Sequence, residues 1–186
     1  MKGDGRRANL SRKTQETDIH VKLNLDGTGV SQCEIPDQFL THMVETLVKY
    51  SGSDLRISAR GDIGHHLIED VAITLGKAFR KALGSKPTKR IASATVPMDE
   101  ALVQVTVDLI ERPFVHLELS DLMYEHFVRS FAMELRCTVH TMILRGKDSH
   151  HIVEATFKAL GMALKEAMTP ATSLMSTKSN VKWRNG

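Results

Sequence analysis

A pair of adjacent histidines, separated from a glutamate by two apolar residues, occurs twice in this chain. Residues 65–69 read His-His-Leu-Ile-Glu, and residues 150–154 read His-His-Ile-Val-Glu, an offset of 85 residues. The similarity continues beyond the motif, because Leu-Gly-Lys-Ala at 75–78 matches Leu-Gly-Met-Ala at 160–163. Self-similarity at a fixed offset indicates an internal duplication, so the fold is expected to contain two similar halves.

The spacing inside the motif predicts metal binding. Residues four apart lie on one face of a helix, so His65 can share an ion with Glu69, and His150 with Glu154. The second histidine of each pair points about 100° away and can reach a different partner. Imidazole and carboxylate together suit ions such as Mn and Fe, and no nearby thiolate suggests a structural zinc site. The alternative is a repeat that has lost its function.

Composition narrows the class of protein. The chain has 186 residues, of which 41% are hydrophobic and 25% charged, as in soluble globular proteins. A net charge of +3 does not indicate a general nucleic-acid binder, and the sequence contains no long apolar run that would span a membrane. Cys33 and Cys137 have no redox or zinc spacing. We therefore expect a cytoplasmic protein with reduced thiols, bound neither to nucleic acid nor to a membrane.

Periodicity predicts the order strand–strand–helix–strand–helix, used twice. In the first half, the predicted elements are strands at 17–25 and 30–35 joined by an Asp-Gly hairpin turn, a helix at 36–51, a strand at 54–60 and a helix ending at 83. In the second half, they are strands at 101–109 and 114–119, a helix at 121–136, a strand at 137–145 and a helix ending near 168. The predicted fold class is α+β, with two similar ββαβα halves and sheets that carry helices on one face.

The predicted division of the chain follows from these elements. The halves are residues 12–84 and 99–168. Residues 1–11 are expected to be a flexible N-terminus, residues 85–98 a linker, and residues 169–186 an extended tail.

The two motifs supply six ligands, too few for two sites with four protein ligands each. His42 and His140 are the obvious additions, but the 85-residue offset aligns them with Phe127 and Leu55. Each is therefore as compatible with a buried structural role as with metal binding. Three other histidines have no partner at an informative spacing and are interpreted as structural or surface residues: His20, His116 and His126.

Longer motifs, in one order along nearly the whole chain, resemble the imidazoleglycerol-phosphate dehydratase family. They are Arg12–Thr17, Leu25–Gly29, Phe39–Met43, Gly61–Gly76, Arg90, Val96–Leu102, Arg112–Pro113, Thr138–His140, His150–Lys158 and Ser176–Lys178. The chain departs from the family at Thr41 and Gly64, where acidic residues are usual, and at Leu67-Ile68, where Thr-Val is usual. Thr41 and Gly64 do not remove a ligand, but they can change the hydrogen bonds that orient the histidines.

The resemblance implies a hydro-lyase of histidine biosynthesis with a ribosomal protein S5 domain 2-like fold. Its substrate is D-erythro-imidazoleglycerol phosphate, and its products are imidazole acetol phosphate and water. The implied route passes through an imidazolate stabilised by two metals and a diazafulvene-like intermediate. The implied cofactor is Mn²⁺, two ions per active site, with ligands from more than one subunit of a 24-subunit octahedral homo-oligomer. No phosphatase fusion partner is expected.

The resemblance also implies roles for particular residues. One ion is expected to bind His42, His66, His150 and Glu154, and the other His65, Glu69, His140 and His151. Glu16 is the candidate catalytic acid or base, with a structural role at the first strand as the alternative. The expected phosphate-binding residues are Arg90, Arg112, Lys158, Ser176, Thr177 and Lys178, and the tail is expected to cover the substrate. For Lys158 the alternative is a surface ion pair with Glu154, four residues earlier.

Three other functions remain as alternatives. A dinuclear metallohydrolase would use similar ligands, but would hold its two metals about 3.5–4 Å apart to activate water. A nucleic-acid-binding repeat is opposed by the small net charge and the few aromatic residues. A purely structural metal module would not require the cations expected at the phosphate.

Overall fold

The computed structural model describes residues 5–173 and 175–176, and within them it contains two four-stranded sheets and four helices. The first half comprises β1 (Arg7–Lys13), β2 (Thr17–Asn24), β3 (Ser31–Glu34), α1 (Gln38–Ser51), β4 (Asp54–Gly61) and α2 (Gly64–Leu83). The second half comprises β5 (Ile91–Met98), β6 (Ala101–Asp108), β7 (Phe114–His116), α3 (Leu122–Leu135), β8 (Thr138–Arg145) and α4 (Ser149–Ala167). The predicted fold class, two similar halves of sheet and helix, is confirmed.

Both sheets have the same topology. The strand orders are β1-β2-β4-β3 and β5-β6-β8-β7. In each sheet the first three strands in that order are antiparallel, and the last pairs in parallel with its neighbour. The helices lie between the sheets: α2 packs on β1 and β2, and α4 packs on β5 and β6. The halves are thus joined through a shared helical layer.

Helices of opposite halves pack in two equivalent pairs, α2 with α3 and α1 with α4. Gly76 and Gly161, which the repeat aligns, lie at these two contacts. A Cβ atom at Gly76 would lie 2.5 Å from the backbone oxygen of Phe131, and one at Gly161 would lie 2.7 Å from Cβ of Tyr50. Because any side chain at these positions would separate the helices, glycine allows the close approach that the interior packing requires.

Two segments expected to be irregular are strands. The N-terminus, predicted to be flexible through residue 11, forms β1 from Arg7, and the predicted linker contains β5. The signal is weak in both cases. Ala8 is the one fully buried residue of β1, and Ala92 and Val96 are the small buried residues of β5. Edge strands with so few large apolar residues do not show a clear alternation.

The predicted hairpin between residues 17–25 and 30–35 was wrong. β3 does not return along β2 but pairs in parallel with β4. The Asp54 carboxylate accepts hydrogen bonds from the N–H groups of Thr28 (2.8 Å) and Val30 (3.1 Å), and these bonds direct the loop toward β4. A hydrogen bond from a residue 24 positions away is invisible to local turn rules.

The two halves differ by one residue at a single connection. Two residues join β4 to α2, whereas three join β8 to α4. Elements before this connection therefore repeat at an offset of 84 residues, and elements after it at 85.

None of the helices in the described parts of the chain is long and apolar enough to cross a membrane.

Candidate metal centre and active site

The first cluster lies where α2 meets α3, and we name it triad A: His65, Glu69 and His126. One ligand atom of each side chain lies within 4.8 Å of the other two. Nε2 of His126 is 3.3 Å from Oε1 of Glu69, and the rings of His65 and His126 stack with centroids 5.5 Å apart. Nε2 of His126 is buried and has no hydrogen-bond partner among the described residues. An imidazole nitrogen placed in this way fits a metal ligand, since buried polar atoms otherwise find partners.

The second cluster lies where α1 meets α4, and we name it triad B: His42, His150 and Glu154. Nε2 of His42 and Nε2 of His150 lie 3.2 Å and 3.4 Å from the same oxygen, Oε2 of Glu154. The Glu154 side chain is only 9% exposed. Two imidazole nitrogens thus converge on one buried carboxylate oxygen.

The triads are equivalent, and each crosses between the halves. His42 and His126 are 84 residues apart, as expected for elements before the longer connection, and they lie on α1 and α3. In each case the histidine from one half meets a histidine and a glutamate from the helix of the other half. Triad A and triad B are therefore related by the duplication itself.

The structure corrects the expected role of His140. That residue was expected to join His65 and Glu69, but it lies on β8 next to the rings of Phe114 and His116, at 5.5 Å and 6.0 Å between centroids. His126, interpreted from sequence as structural or surface, takes the place beside His65 and Glu69.

His126 was missed because one offset was applied to the whole chain. The 85-residue offset is correct for the histidine-pair helices but aligns His42 with Phe127 instead of His126. Allowing one extra residue between β8 and α4 would have matched the two histidines. The sequence therefore contained the signal, and a separate alignment of the preceding helices would have found it.

The second histidine of each pair faces a carboxylate outside the triads. Nδ1 of His66 lies 2.8 Å from Asp62, and Nδ1 of His151 lies 2.6 Å from Glu100. These hydrogen bonds raise the pKa of both histidines above the usual value. The bond to His151, supported by the backbone N–H of Asp148, lowers the pKa of Glu100 to about 2. With Nδ1 held, Nε2 is the nitrogen of each ring oriented to bind a further group.

Glu16 and Glu100 occupy equivalent positions just before β2 and β6. The Glu16 carboxylate lies 3.6 Å from Nδ1 of His66 and is half exposed. The candidate acid or base is thus beside a predicted metal ligand and accessible from solvent.

The two histidine-pair helices begin differently. Asp148 caps α4 by accepting hydrogen bonds from the N–H groups of His150 (2.8 Å) and His151 (3.2 Å). At the start of α2, Ile63 provides no side-chain cap. The extra residue in the second connection therefore comes with a helix cap next to the ligands.

Lys158 contacts the carboxylate of triad B. Its Nζ lies 2.8 Å from Oε1 of Glu154, while the histidines meet Oε2. Burial disfavours a charged Glu154, but hydrogen bonds from Lys158 and His42 outweigh burial and lower its pKa. The ion pair considered as an alternative for Lys158 is present, and it is mostly buried.

Arg90 is held in a defined orientation next to the tail. Its Nε and Nη2 bind the two oxygens of Asp108 at 2.6 Å and 2.9 Å, and its Nη1 donates to the backbone oxygen of Met175. This pairing raises the pKa of Arg90. The backbone of Arg90 has φ of 71°, an unusual value for a residue other than glycine.

The remaining predicted phosphate-binding residues are partly visible. Arg112 lies in the exposed loop between β6 and β7, and Ser176 follows the Met175 that Arg90 contacts. Thr177 and Lys178 lie outside the described residues.

Comparison with known proteins matches both the sequence and the fold. The family model described as "IGPD: Imidazoleglycerol-phosphate dehydratase" matches residues 36–164. An imidazoleglycerol-phosphate dehydratase of Dictyoglomus thermophilum is 42% identical over 184 residues, covering 95% of this chain and 99% of that protein. One from Dehalococcoides mccartyi is 46% identical over 173 residues, covering 87% and 88%.

Solved structures agree. The crystal structure of IGPD from Pyrococcus furiosus in complex with (S)-C348 has a TM-score of 0.83 and 39% identity, covering 92% of this chain and all of that one. The enzyme from Staphylococcus aureus has a TM-score of 0.80 and 30% identity, covering 89% and 99%. Fold and sequence together define a hydro-lyase of histidine biosynthesis. The chain belongs to the imidazoleglycerol-phosphate dehydratase family.

Proposed function

We propose that this chain dehydrates D-erythro-imidazoleglycerol phosphate to imidazole acetol phosphate and water in the cytoplasm, with two Mn²⁺ ions per active site. The observation that carries the proposal is the pair of crossed triads. Each offers two imidazole nitrogens and one carboxylate oxygen, a donor set that suits Mn²⁺. The buried, unpaired Nε2 of His126 supports the same interpretation.

The fourth protein ligand of each ion would come from another subunit. His66 would complete triad B, and His151 would complete triad A, each through Nε2. Within one chain these rings are held by Asp62 and Glu100 away from the triads, which supports a role between subunits. A 24-subunit octahedral homo-oligomer, expected from the family, would bring the sites together.

The bound ions would act as Lewis acids that favour the anionic form of the substrate's imidazole ring. The reaction removes a hydroxyl from the carbon next to the ring and a proton from the following carbon, and the resulting enol becomes the ketone. Glu16 is suited to this proton transfer, because its carboxylate is accessible and lies at the histidine-pair helix.

Several cations and hydroxyl groups would bind the phosphate. Arg90 is pre-oriented by Asp108 and keeps N–H groups for a further acceptor, and its contact with Met175 lies next to Ser176. The proposal keeps the other expected phosphate ligands: Arg112, Lys158, Thr177 and Lys178. Lys158 would have to serve the substrate while it remains paired with Glu154.

The test is metal removal and return. The protein is stripped with a chelator and supplied with Mn²⁺, and dehydration of imidazoleglycerol phosphate, metal content and particle mass are then measured. Turnover that returns with about two ions per chain in a large particle would support the proposal. Full turnover without bound metal would overturn the metal dependence, and metal uptake without dehydration would overturn the substrate assignment.

A further inference from the structure

A charged cluster joins the first two strands to the helix that carries His65, His66 and Glu69. Asp70 is 6% exposed and lies on α2. Its Oδ1 accepts hydrogen bonds from Nε (2.9 Å) and Nη2 (2.8 Å) of Arg12, and its Oδ2 accepts one from Oγ1 of Thr17 (2.5 Å). We call Arg12, Thr17 and Asp70 the polar trio.

The second half lacks this trio and provides an internal control. The equivalent residues are Val96, Ala101 and Ala155, all of them buried and apolar. Strands and helix pack there without a charge. Replacing a buried ion pair with apolar residues is often neutral or stabilising, so packing alone does not account for the trio in the first half.

The trio holds a turn that carries Glu16. Oγ1 of Thr14 accepts hydrogen bonds from the N–H groups of Glu16 (3.1 Å) and Thr17 (2.9 Å) and lies 3.1 Å from Oγ1 of Thr17. The backbone oxygen of Glu16 accepts from the N–H of Asp62, at the approach to α2. Asp70 therefore fixes Thr17, and through it the Glu16 turn, relative to α2.

We infer that Arg12, Thr17 and Asp70 are positioning residues that hold Glu16 in register with the metal-binding face of α2. This inference rests on the proposed catalytic role of Glu16. The polar trio occurs in the half that contains Glu16, whereas the equivalent Glu100 is held directly by His151 and by the backbone N–H groups of Lys147 and Asp148. Each half thus fixes its glutamate by different means.

The test copies the second half into the first. The variant Arg12→Val/Thr17→Ala/Asp70→Ala is compared with the single variant Thr17→Val, which removes the hydroxyl while keeping the shape, and with the conservative Thr17→Ser. Misplacement of a catalytic group by about 1 Å can cost about 100-fold in rate. We expect kcat to fall about 10- to 100-fold in the triple variant and less in Thr17→Val. Metal content, particle mass and KM should stay nearly unchanged, and Thr17→Ser should retain activity.

A mutant cycle separates positioning from general damage. In a Glu16→Gln background, the triple change should cost little further rate, because the group being positioned is already lost. An equal loss in both backgrounds, or full kcat in the triple variant, would overturn the inference.

Hydrogen exchange gives a measurement that does not depend on turnover. The amide protons of Glu16, Thr17 and Asp62 should exchange faster in the variants than in the wild type, while those of β6 keep their rates. If the wild type fails to dehydrate the substrate, the proposed function fails while this result stands. Unchanged exchange in the triple variant would instead overturn the positioning role.

Discussion

His42 and His126 occupy equivalent positions in the two halves, and each places Nε2 within 3.3 Å of a glutamate from the opposite half. This equivalence assigns the two histidines the same task. It also separates His126 from His140, which lies on the outer face of a sheet beside aromatic rings.

The variant His126→Ala should lose one of the two ions per chain, and His140→Ala should keep both. The reason is that His126, not His140, shares a ligand cluster with His65 and Glu69. Metal content measured by mass spectrometry after equilibration with Mn²⁺ decides between them. Loss of an ion in His140→Ala, with full loading in His126→Ala, would restore the sequence-based ligand set.

Lys158→Met should weaken Mn²⁺ binding at triad B about tenfold, and the loss of metal on acidification should begin at a higher pH. Without Lys158, burial raises the pKa of Glu154, so protons compete with the metal for its carboxylate. Titration calorimetry at several pH values measures this change, and Lys165→Met, an exposed change on the same helix, is the control. A raised KM with unaltered metal affinity would instead assign Lys158 to the phosphate alone.

Glu100→Gln should destabilise the metal-free protein mainly in mildly acidic solution. The raised pKa of His151 gives stability that is fully present below its unfolded value of 6.5 and lost as the pH rises through the folded value. The lowered pKa of Glu100 gives stability that is present above its unfolded value of 4.5 and lost as the pH falls toward about 2. The difference from wild type should therefore be largest between those two unfolded values.

Urea unfolding at about pH 5.5 and about pH 9 measures this difference. Glu16→Gln is the control, because His66 is held mainly by Asp62 and has Glu16 only 3.6 Å away. A penalty of the same size at both pH values would mean that Glu100 acts through its shape and not through its charge.

Gly76→Ala and Gly161→Ala should each cost about 1–3 kcal/mol of stability by forcing the paired helices apart. Both changes should also loosen a triad, so Mn²⁺ affinity should fall together with the free energy of unfolding. Gly64→Ala is the matched control, since a Cβ atom there has nothing within 4 Å. Equal stability of all three variants would contradict the close-packing role of the two interior glycines.

Asp108→Asn should raise KM for the phosphorylated substrate about tenfold with a smaller effect on kcat. The carboxylate orients the Arg90 guanidinium through two hydrogen bonds, and an amide can accept only one of them. Steady-state kinetics give the result, with Arg90→Lys as the companion variant that keeps the charge and loses the fork. An unchanged KM in both would remove Arg90 from the phosphate site.

The repeated motif was enough to predict two halves, the helical faces of His65 and His150, and a metal-binding function. What it could not predict depended on contacts across the chain. The path of β3 depends on Asp54, and the weak strands β1 and β5 are fixed by pairing with β2 and β6 and not by their own apolar residues. Family resemblance supplied His42, but the expectation for His140 was not met within the chain.

The crossed arrangement of the triads bears on the origin of the protein. Because each triad takes one histidine from one half and two ligands from the other, a half-length ancestor alone would have held no complete triad. Two copies paired as a symmetric dimer would have formed both triads at once, and identically. Gene fusion would then have freed each copy to evolve separately, which accounts for a capped helix in one half and a polar trio in the other.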